Sequence, residues 1–325
     1  MVRAPGKFAR FQEAESLRRA LQAEGALRRD LDPSRTPDGV WFPVQVSDET
    51  WEFTERDVRP KSFMDMVDLN EAEQALASRA FEQLGDMAIL KIPPGLEHKK
   101  TELGDALRSF LGARAVFHDH GVKGTFRTRD LERISGTGNA ETIVAENGFQ
   151  LKVDVTRAYF SPRLADERAR LVALLSPGDS VIDLFGGAGP FAVQAARAGA
   201  AVVCVDLNPD AIALAQENAA RAKVSLECIC GDAREVGPTL EPAKHVVMNL
   251  PHLAKEFLGV GAQCTAPGGT LHHHEILPDN DLATRCAELV AELGAIGRVA
   301  TVAHTRHVRN YSPTESHYAI DLELA

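Results

Sequence analysis

The chain is short of cysteine, of tryptophan and tyrosine, and of long apolar runs, and these shortages exclude several classes of protein. Its 325 residues are 44% hydrophobic and 25% charged, with a mean hydropathy of −0.16, an ordinary globular composition. The five cysteines show no paired Cys-x-x-Cys spacing, so neither a disulfide framework nor a zinc site is expected. No uninterrupted apolar run reaches about 18 residues, and the first residues lack the apolar core of a secretory signal. We therefore expect a protein of the reducing cytoplasm without a membrane span.

Positive charge is also scarce, because 36 lysines and arginines stand against 46 aspartates and glutamates, a formal net charge of −10. Overall charge thus repels a polyanion, which would need a local basic surface. The excess acid is concentrated in residues 161–325, whereas Lys99–Arg133 holds eight basic and five acidic residues. A polyanionic partner is therefore expected to bind mainly through residues 1–160, with an affinity that falls steeply as salt rises.

From Ser176 onward, short apolar runs alternate with turns and helical stretches, as in a parallel sheet covered by helices. The predicted strands are Ser180–Phe185, Ala201–Leu207, Val224–Cys230, His245–Leu250, Thr270–Leu277, Arg298–His304 and His317–Leu324. The predicted helices are Phe191–Ala198, Pro209–Ala222 and Asp281–Leu293. The last two strands are too close in sequence for a helical crossover, so they form an antiparallel hairpin. This predicts an α/β fold, a Rossmann-like seven-stranded sheet with a C-terminal antiparallel hairpin, characteristic of class I methyltransferases.

The first 175 residues show a different pattern. A helix over Ala9–Ala26 and a strand over Trp41–Val46 indicate a small N-terminal domain, and the charged Asp48–Lys61, which has no clear period, is interpreted as a linker. A helix, a strand and a second helix then indicate an α+β insert domain, over Ala72–Gln83, Met87–Ile92 and Leu103–Leu111. The predicted domains are residues 1–60, 61–140 and 141–325.

A glycine-rich loop follows the first strand of the predicted sheet. Gly186-Gly187-Ala188-Gly189-Pro190 joins this strand directly to a helix, and Asp206 ends the next strand. Glycines let the backbone approach a ligand closely, and a carboxylate in that position can accept hydrogen bonds from ribose hydroxyls, so the loop predicts a nucleoside site. Read as Gly187-x-Gly189-x-x-Ala192, it also fits a dinucleotide fingerprint and does not by itself separate a methyltransferase from a dehydrogenase.

The ends of the third and fourth strands favour a methyltransferase. Asp232 can accept a hydrogen bond from the exocyclic amine of an adenine. Asn249-Leu250-Pro251 places an amide acceptor and stiffened carbonyls where a flat base with N–H donors can be held. This pattern is typical of amino-group and base methyltransferases, although each acidic residue alone could equally be a helix N-cap or a turn residue.

Four segments then carry a resemblance to a known family. They are Phe126-Arg127, Glu146-Asn147-Gly148 continuing to Asp154 and to Tyr159-Phe160-Ser161-Pro162-Arg163-Leu164-Ala165-Asp166-Glu167-Arg168, Asn249-Leu250-Pro251-His252-Leu253-Ala254, and Val308-Arg309-Asn310-Tyr311-Ser312-Pro313. They resemble the archaeal and eukaryotic type of tRNA (guanine-37-N1)-methyltransferases, and Ala14–Val46 resembles the small extra domain of that family. The resemblance implies S-adenosylmethionine as cofactor and the anticodon loop and body of tRNA as partner. We expect a monomer that needs no metal.

The resemblance also implies three catalytic residues. Guanine carries a proton on N1 at neutral pH, so its methylation needs a base, and a cation or donor must hold the charge that develops on O6. Glu167 matches the general base of the family, Arg127 matches its charge-stabilising arginine, and Asn249 would orient the guanine. The methyl group is already activated in S-adenosylmethionine, so the remaining task is in-line positioning.

The complete set of predicted site residues is larger. The predicted cofactor-binding residues are Arg168, Asp183, Phe185, Gly186, Gly187, Gly189, Pro190, Asp206, Leu207, Asp232, Ala233, Asn249 and Pro251. The predicted substrate-binding residues are Arg127, Tyr159, Pro251, Tyr311, Ser312 and Pro313. Asp206 departs from the glutamate that is commoner in the family, and the acidic overall charge is unusual for a tRNA enzyme.

Several of these residues have a simpler interpretation. Arg127 could be solvated or bind phosphate, and Glu167 could be a first-turn helix acid paired with arginines. Tyr159 could pack in the core or provide a stacking platform, and core packing is preferred for Phe160. In His272-His273-His274, alternate side chains of a strand face opposite sides, so only two could share a metal, and polar histidines near a cleft are preferred.

Other functions remain open. A wybutosine-pathway aminocarboxypropyl transferase uses the same cofactor and a similar fold, but the intact Asn249-Leu250-Pro251 favours methyl transfer. A dual-specificity enzyme that methylates a wybutosine precursor in addition to guanine also remains open. A nicotinamide-dependent oxidoreductase would use the glycine loop as a dinucleotide site, but no constellation for hydride transfer is found. A non-catalytic RNA-binding protein would tolerate loss of Glu167 and Asn249.

Overall fold

The computed structural model describes residues 1–56, 60–126 and 128–325, so Arg127 lies outside the described residues. Contacts divide the chain into two compact units, Met1–Asp65 and Met66–Ala325. None of the helices in the described ranges is long and apolar enough to span a membrane.

The first unit is a five-stranded antiparallel sheet, in the order β2-β5-β1-β4-β3, with one helix against it. Its elements are β1 (Val2–Arg10), α1 (Phe11–Ala23), β2 (Leu31–Asp32), β3 (Ser34–Thr36), β4 (Gly39–Pro43) and β5 (Thr50–Glu55). The predicted helix and strand are present within about three residues at each end. The interpretation of Asp48–Lys61 as a linker is wrong for Thr50–Glu55, because these residues form β5. Only Phe53 of β5 is buried, so the strand shows no alternation.

The insert region is a four-stranded sheet in the order β6-β7-β8-β9, in which only β7 and β8 run parallel. Its elements are α2 (Glu71–Leu76), β6 (Phe81–Leu84), β7 (Met87–Leu90), α3 (Lys100–Leu111), β8 (Ala115–Lys123) and β9 (Thr128–Gly136). The predicted helix over Ala72–Gln83 is wrong beyond Leu76. Ala77 adopts extended backbone, and the left-handed Gly85 turns β6 back onto β7.

A two-stranded hairpin connects this sheet to the largest one. It pairs β10 (Glu141–Glu146) with β11 (Phe149–Asp154). The two residues between them, Asn147 and Gly148, both have positive φ, as a tight two-residue hairpin turn requires. This turn places Asn147 where its side-chain amide donates to the Ala165 carbonyl at 3.0 Å, and it places Glu146 where it pairs with Arg168.

The largest sheet has seven strands in the order β14-β13-β12-β15-β16-β18-β17. The strands are β12 (Ser180–Asp183), β13 (Ala201–Asp206), β14 (Glu227–Cys230), β15 (Ala243–Met248), β16 (Thr265–Pro278), β17 (Ala300–Asn310) and β18 (Glu315–Leu324). The helices are α4 (Ala165–Leu174), α5 (Pro190–Arg197), α6 (Pro209–Ala222), α7 (Ala233–Val236), α8 (Ala254–Cys264) and α9 (Leu282–Ala295). Strand β18 is antiparallel to both of its neighbours, which confirms the predicted final hairpin.

Both faces of this sheet are buried. Val181 packs with residues of α4, α5 and α6, whereas the adjacent Ile182 packs with residues of α8 and α9. Such double burial makes the central strands continuously apolar, and this made them recognisable in the sequence. Asn208 caps α6 by accepting from the Asp210 amide, and Pro209 opens the helix, as predicted.

Candidate active site

A pocket of the second unit, with a volume of about 340 Å³, lies at the carboxyl ends of β12 to β15. Ligands of open parallel sheets bind at this edge. Of the predicted site residues, those lining the pocket are Tyr159, Arg168, Phe185, Gly186, Gly187, Pro190, Asp206, Leu207, Asp232, Ala233, Asn249 and Pro251. Predicted residues that do not line it are Glu167, Asp183, Gly189, Tyr311, Ser312 and Pro313. Arg127 cannot be placed, since it lies outside the described residues.

Asp206 is fixed by backbone donors at the end of β13. Its carboxylate oxygens accept from the amides of Gly187 at 2.7 Å and Asn208 at 2.8 Å. Gly187 has a φ of +56°, a conformation that places its amide toward Asp206 and that other residues adopt with strain. Burial raises the pKa of Asp206 above its ordinary value. The glycine loop and the carboxylate therefore form one preorganised unit.

Asp183 lies beneath this loop and is completely buried. Desolvation raises its pKa to about 7. Its Oδ1 accepts a long bond of 3.4 Å from the Phe185 amide, and its Oδ2 has no hydrogen-bond partner in the described part of the chain. Asp183 therefore contacts the loop rather than the pocket space.

Asp232 is a helix N-cap, the simpler of the two roles that the sequence allows for it. It caps α7 by accepting from the Arg234 amide at 2.9 Å, and it forms an ion pair with the Arg234 side chain at 2.6 Å. The hydrogen bonds from Arg234 lower the pKa of Asp232. The Arg234 guanidinium lies 5.1 Å from the ring centroid of Phe257, which in turn meets Phe185 edge to face at 4.9 Å. This aromatic pair forms an apolar wall of the pocket.

Arg168 is a fully buried cation on the pocket wall, with 1% of its surface exposed. It forms an ion pair with Glu146, donates to the Ser161 carbonyl at 3.1 Å, and lies over the rings of Phe160 and Phe191. Because its donors are used within the protein, Arg168 primarily joins α4 to the β10–β11 hairpin.

Glu167, the predicted base, is 2% exposed and is held by Arg170. The Arg170 guanidinium donates to both carboxylate oxygens at 2.7–3.0 Å and also binds Asp321 on β18. Arg306 Nη1 lies 3.7 Å from Glu167. This is the arginine pairing that the sequence offered as the simpler interpretation.

Three polar atoms of pocket-lining residues have no hydrogen-bond partner among the described residues, although all three are buried. They are Asn249 Oδ1, Arg309 Nε and His317 Nδ1. Arg309 and His317 face each other directly across β17 and β18. A buried polar atom without a partner is costly, so this part of the pocket is suited to a ligand that offers both donors and acceptors.

Sequence reasoning missed Arg309 and His317 as site residues. Arg309 falls inside the family-like segment Val308–Pro313, of which only the tip residues Tyr311, Ser312 and Pro313 are predicted to bind substrate. The tip residue Tyr311 is 46% exposed and meets the pocket residue His252 edge to face at 5.2 Å. Tyr311 therefore lies beside the pocket rim.

The histidine run on β16 divides between the two faces of the sheet, as predicted. His272 and His274 contact β18 partners, Asp321 at 2.7 Å and His317 at 3.1 Å respectively. His273 instead bonds Glu275, which is paired with Arg285 of α9. All three histidines are buried.

Elsewhere, His118, His120 and Glu132 are close enough in the described structure to share a metal ion. The Lys100 ammonium lies 2.8 Å from Glu132, so the carboxylate of this cluster is already paired with a cation from the protein.

A parallel sheet closed by an antiparallel hairpin, with a nucleoside-type loop at its carboxyl edge, defines a class I S-adenosylmethionine-dependent methyltransferase. Residues 142–299 match the family model described as the TRM5/TYW2 methyltransferase domain, and residues 65–139 match the TYW2 N-terminal domain. The chain is 33% identical to tRNA (guanine(37)-N(1))-methyltransferase Trm5b of Pyrococcus abyssi, with 97% of each chain covered. It is 30% identical to the Methanocaldococcus jannaschii Trm5b, with 96% of each covered. The chain belongs to the family of tRNA (guanine(37)-N(1))-methyltransferases.

Solved structures agree with this assignment. The crystal structure of Trm5b from Pyrococcus abyssi superimposes with a TM-score of 0.79 over all of both chains, at 33% identity. The complex of aTrm5 with tRNALeu superimposes with a TM-score of 0.73 at 29% identity, and the match covers 98% of this chain and 99% of that one. Methanocaldococcus jannaschii Trm5 in complex with adenosine superimposes with a TM-score of 0.68 at 28% identity, and the match covers 98% of each chain.

Proposed function

We propose that this protein transfers a methyl group from S-adenosylmethionine to N1 of guanosine 37 in tRNA. The observation that carries this is the relationship, over 97% of the chain, to a tRNA (guanine(37)-N(1))-methyltransferase. It is supported by a pocket at the carboxyl edge of the sheet that combines a nucleoside-type loop with polar atoms that lack a partner among the described residues. A guanine offers N–H donors to Asn249 and an O6 acceptor to a cation.

The residues of the pocket fit S-adenosylmethionine. At Gly186 a Cβ would lie 2.3 Å from Cys204 Sγ, so the loop has no room for a side chain, and Asp206 lies beside it with its carboxylate already oriented. Phe185 and Leu207 supply apolar surface for an adenine. The cofactor provides an activated methyl group, and the protein must hold it in line with the acceptor nitrogen.

We assign the family's roles to the matching residues. Glu167 is the general base, Asn249 orients the guanine, and Arg127 holds the charge on O6. The burial of Glu167 on α4, adjacent in sequence to the pocket residue Arg168, supports a location near the reacting base. The unpartnered Asn249 Oδ1 supports an acceptor role for that residue.

The tRNA is expected to contact residues 1–60 and 61–140, ahead of a catalytic domain at 141–325. A cavity within the first unit is lined by four arginines that could contact a phosphate backbone. Three of them, Arg18, Arg28 and Arg56, are already paired with Glu15, Asp30 and Asp32, so a phosphate would compete with these acids. We further propose that the protein acts as a monomer in the cytoplasm without a metal, and its five free cysteines suit a reducing compartment.

The second candidate is a wybutosine-pathway activity, because both matched family models carry the TYW2 name. One assay separates the two. The protein is incubated with labelled S-adenosylmethionine and tRNA transcripts carrying guanosine or adenosine at position 37, and the product nucleoside is identified by mass spectrometry. We expect 1-methylguanosine from the first transcript only. Incorporation that ignores the change at position 37 would overturn the proposal, and an aminocarboxypropyl mass increment would establish the second candidate.

A further inference from the structure

The proposed base does not line the pocket, and two buried histidines lie between the base and the pocket. His317 on β18 lines the pocket, and its Nε2 is 3.1 Å from Nδ1 of His274 on β16. His274 Nε2 is in turn 3.8 Å from Oε1 of Glu167. His274 and Glu167 are each no more than 2% exposed. The three side chains therefore lead from the pocket to the carboxylate, with a hydrogen bond between the two rings and a 3.8 Å separation at the carboxylate that must shorten by about 1 Å before a proton can cross it.

The charge of Glu167 decides which nitrogen of each ring carries a proton. A carboxylate paired with Arg170 can only accept, so the His274 nitrogen that faces it carries a proton. The other nitrogen of His274 must then accept, and His317 must donate to it from Nε2. A neutral His317 is left with a lone pair on Nδ1, the atom that has no partner in the described structure. The path thus ends at the pocket in a hydrogen-bond acceptor.

Both rings are held neutral. Burial lowers the pKa of His274 well below its ordinary value, and the neighbouring His317 adds to the effect. Burial likewise lowers the pKa of His317 to about 3, assisted by the positive charge of Arg309 and by His252 and His307. A ring that cannot keep two protons must release one proton from Nε2 when another arrives at Nδ1.

We propose that His317 and His274 relay the N1 proton of the target guanine to Glu167. This inference rests on the proposed function. As the methyl group bonds to N1, the electron pair of the broken bond to carbon stays on sulfur. The N1 proton passes to His317 Nδ1, the Nε2 proton of His317 passes to His274 Nδ1, and the Nε2 proton of His274 passes to Glu167. Both rings end neutral with exchanged tautomers, and Glu167 ends as a carboxylic acid.

The first test replaces His274 by glutamine, which can hydrogen-bond but cannot exchange tautomers. We expect the single-turnover rate of methyl transfer at neutral pH to fall by about 10²-fold, the lower end of the general acid–base range. Binding of S-adenosylhomocysteine and of the tRNA transcript should stay within threefold of wild type. As pH rises and guanine loses its own N1 proton, the variant should approach the wild-type rate. A full rate at neutral pH, or a deficit that stays constant with pH, overturns the relay.

The matched control is His273→Gln, which changes an equally buried histidine of the same strand on the opposite face. It should keep the wild-type pH profile. If His274→Gln does not fold, as judged by circular dichroism, His317→Gln tests the pocket end of the path with the same expectation. Methylation of guanosine 37 by the wild-type protein in the same assay tests the proposed function separately. If the wild type is active and the His274 and His317 variants are unimpaired, the relay is excluded and the proposed function stands.

A second readout needs no turnover. In the ¹⁵N spectrum of histidine-labelled protein at neutral pH, His274 and His317 should both be neutral with the proton on Nε2, assigned by the two glutamine variants. A proton on Nδ1 of either ring, or a cationic ring, overturns the proposed direction of transfer.

Discussion

The two ends of the pocket satisfy their polar groups in different ways. At the cofactor end, formed by the residues that follow β12, β13 and β14, Asp206 is bonded to two backbone amides and Asp232 to Arg234. At the base end, formed by Asn249, Arg309 and His317, one buried polar atom on each residue has no partner among the described residues. The protein itself organises the cofactor end, whereas the base end is arranged for a ligand that completes its hydrogen bonds.

This difference has a chemical rationale. The same nucleoside-type ligand binds in every turnover, so its site can be rigid and does not have to distinguish between alternative ligands. The target base must be distinguished from three others, and polar groups that only the correct base can satisfy reject the wrong ones. Discrimination is therefore expected to reside at the base end.

The largest expected effect is on the proposed base. Glu167→Gln should reduce the rate of methyl transfer by about 10²- to 10⁴-fold, since general base catalysis is lost. Cofactor affinity should be near normal, because Glu167 does not line the pocket. Single-turnover kinetics and calorimetry with S-adenosylhomocysteine measure the two quantities. The adjacent exposed acid gives the control Asp166→Asn, which should be silent. Loss of cofactor binding in Glu167→Gln would mean that Glu167 is structural.

The next effect concerns Asp183, the exception at the cofactor end, whose Oδ2 has no partner in the part of the chain that the structure describes. Its pKa is raised from 3.8 to about 7, so the stability it contributes is complete below the lower value and is lost as pH rises through the upper one. Asp183→Asn removes this dependence. The difference in unfolding free energy between the variant and wild type should therefore be about 3 kcal/mol more favourable to the variant at pH 8 than at pH 5. Urea denaturation at the two pH values measures it, and an unchanged difference would contradict the raised pKa.

A smaller effect is expected from Arg309 at the base end. Arg309→Gln removes one cationic donor from the base end, which corresponds to about 1.5–3 kcal/mol, or roughly a ten- to hundredfold rise in the KM for tRNA. Arg309→Lys should recover part of this, and cofactor affinity should not change in either variant. An equal loss of cofactor and tRNA affinity would remove the distinction between the two ends.

The smallest effect is expected from the cofactor end itself. Asp206→Asn should weaken S-adenosylhomocysteine binding by about tenfold, since the charge on one hydrogen-bond acceptor is lost. The KM for tRNA should be unaffected. Asp210→Asn is a suitable control, because Asp210 is exposed and paired with Arg157 at the start of α6. If Asp206→Asn changed the KM for tRNA more than the affinity for S-adenosylhomocysteine, the assignment of Asp206 to the cofactor end would be wrong.

The predictability of the fold also differs between regions. The seven strands of the large sheet were found because β12 to β18 are apolar on both faces or bounded by glycine and acidic turns. Helix α8 and strand β5 were missed. Helix α8 contains two glycines, which are poor helix formers, and β5 buries only Phe53.

For the site, the residues on strand ends could be predicted because topology alone brings carboxyl ends together. Twelve predicted residues do line the pocket. The positions of Arg309 and His317 could not be derived, because they depend on the cross-strand register of β17 and β18. The pairing of Glu167 with Arg170 was foreseen from helical spacing, whereas the contact from Arg170 to Asp321 spans 151 positions of sequence.

The insertion of β18 between β16 and β17 has a consequence for biosynthesis. Among the strands of the large sheet β18 is translated last, yet it pairs with both neighbours and carries His317 and Asp321. A nascent chain that has emerged only as far as β17 has two strands without their shared partner and lacks the pocket wall. Folding of the sheet and assembly of the base end therefore finish together, so a prematurely terminated product would have neither a stable sheet nor the means to engage tRNA productively.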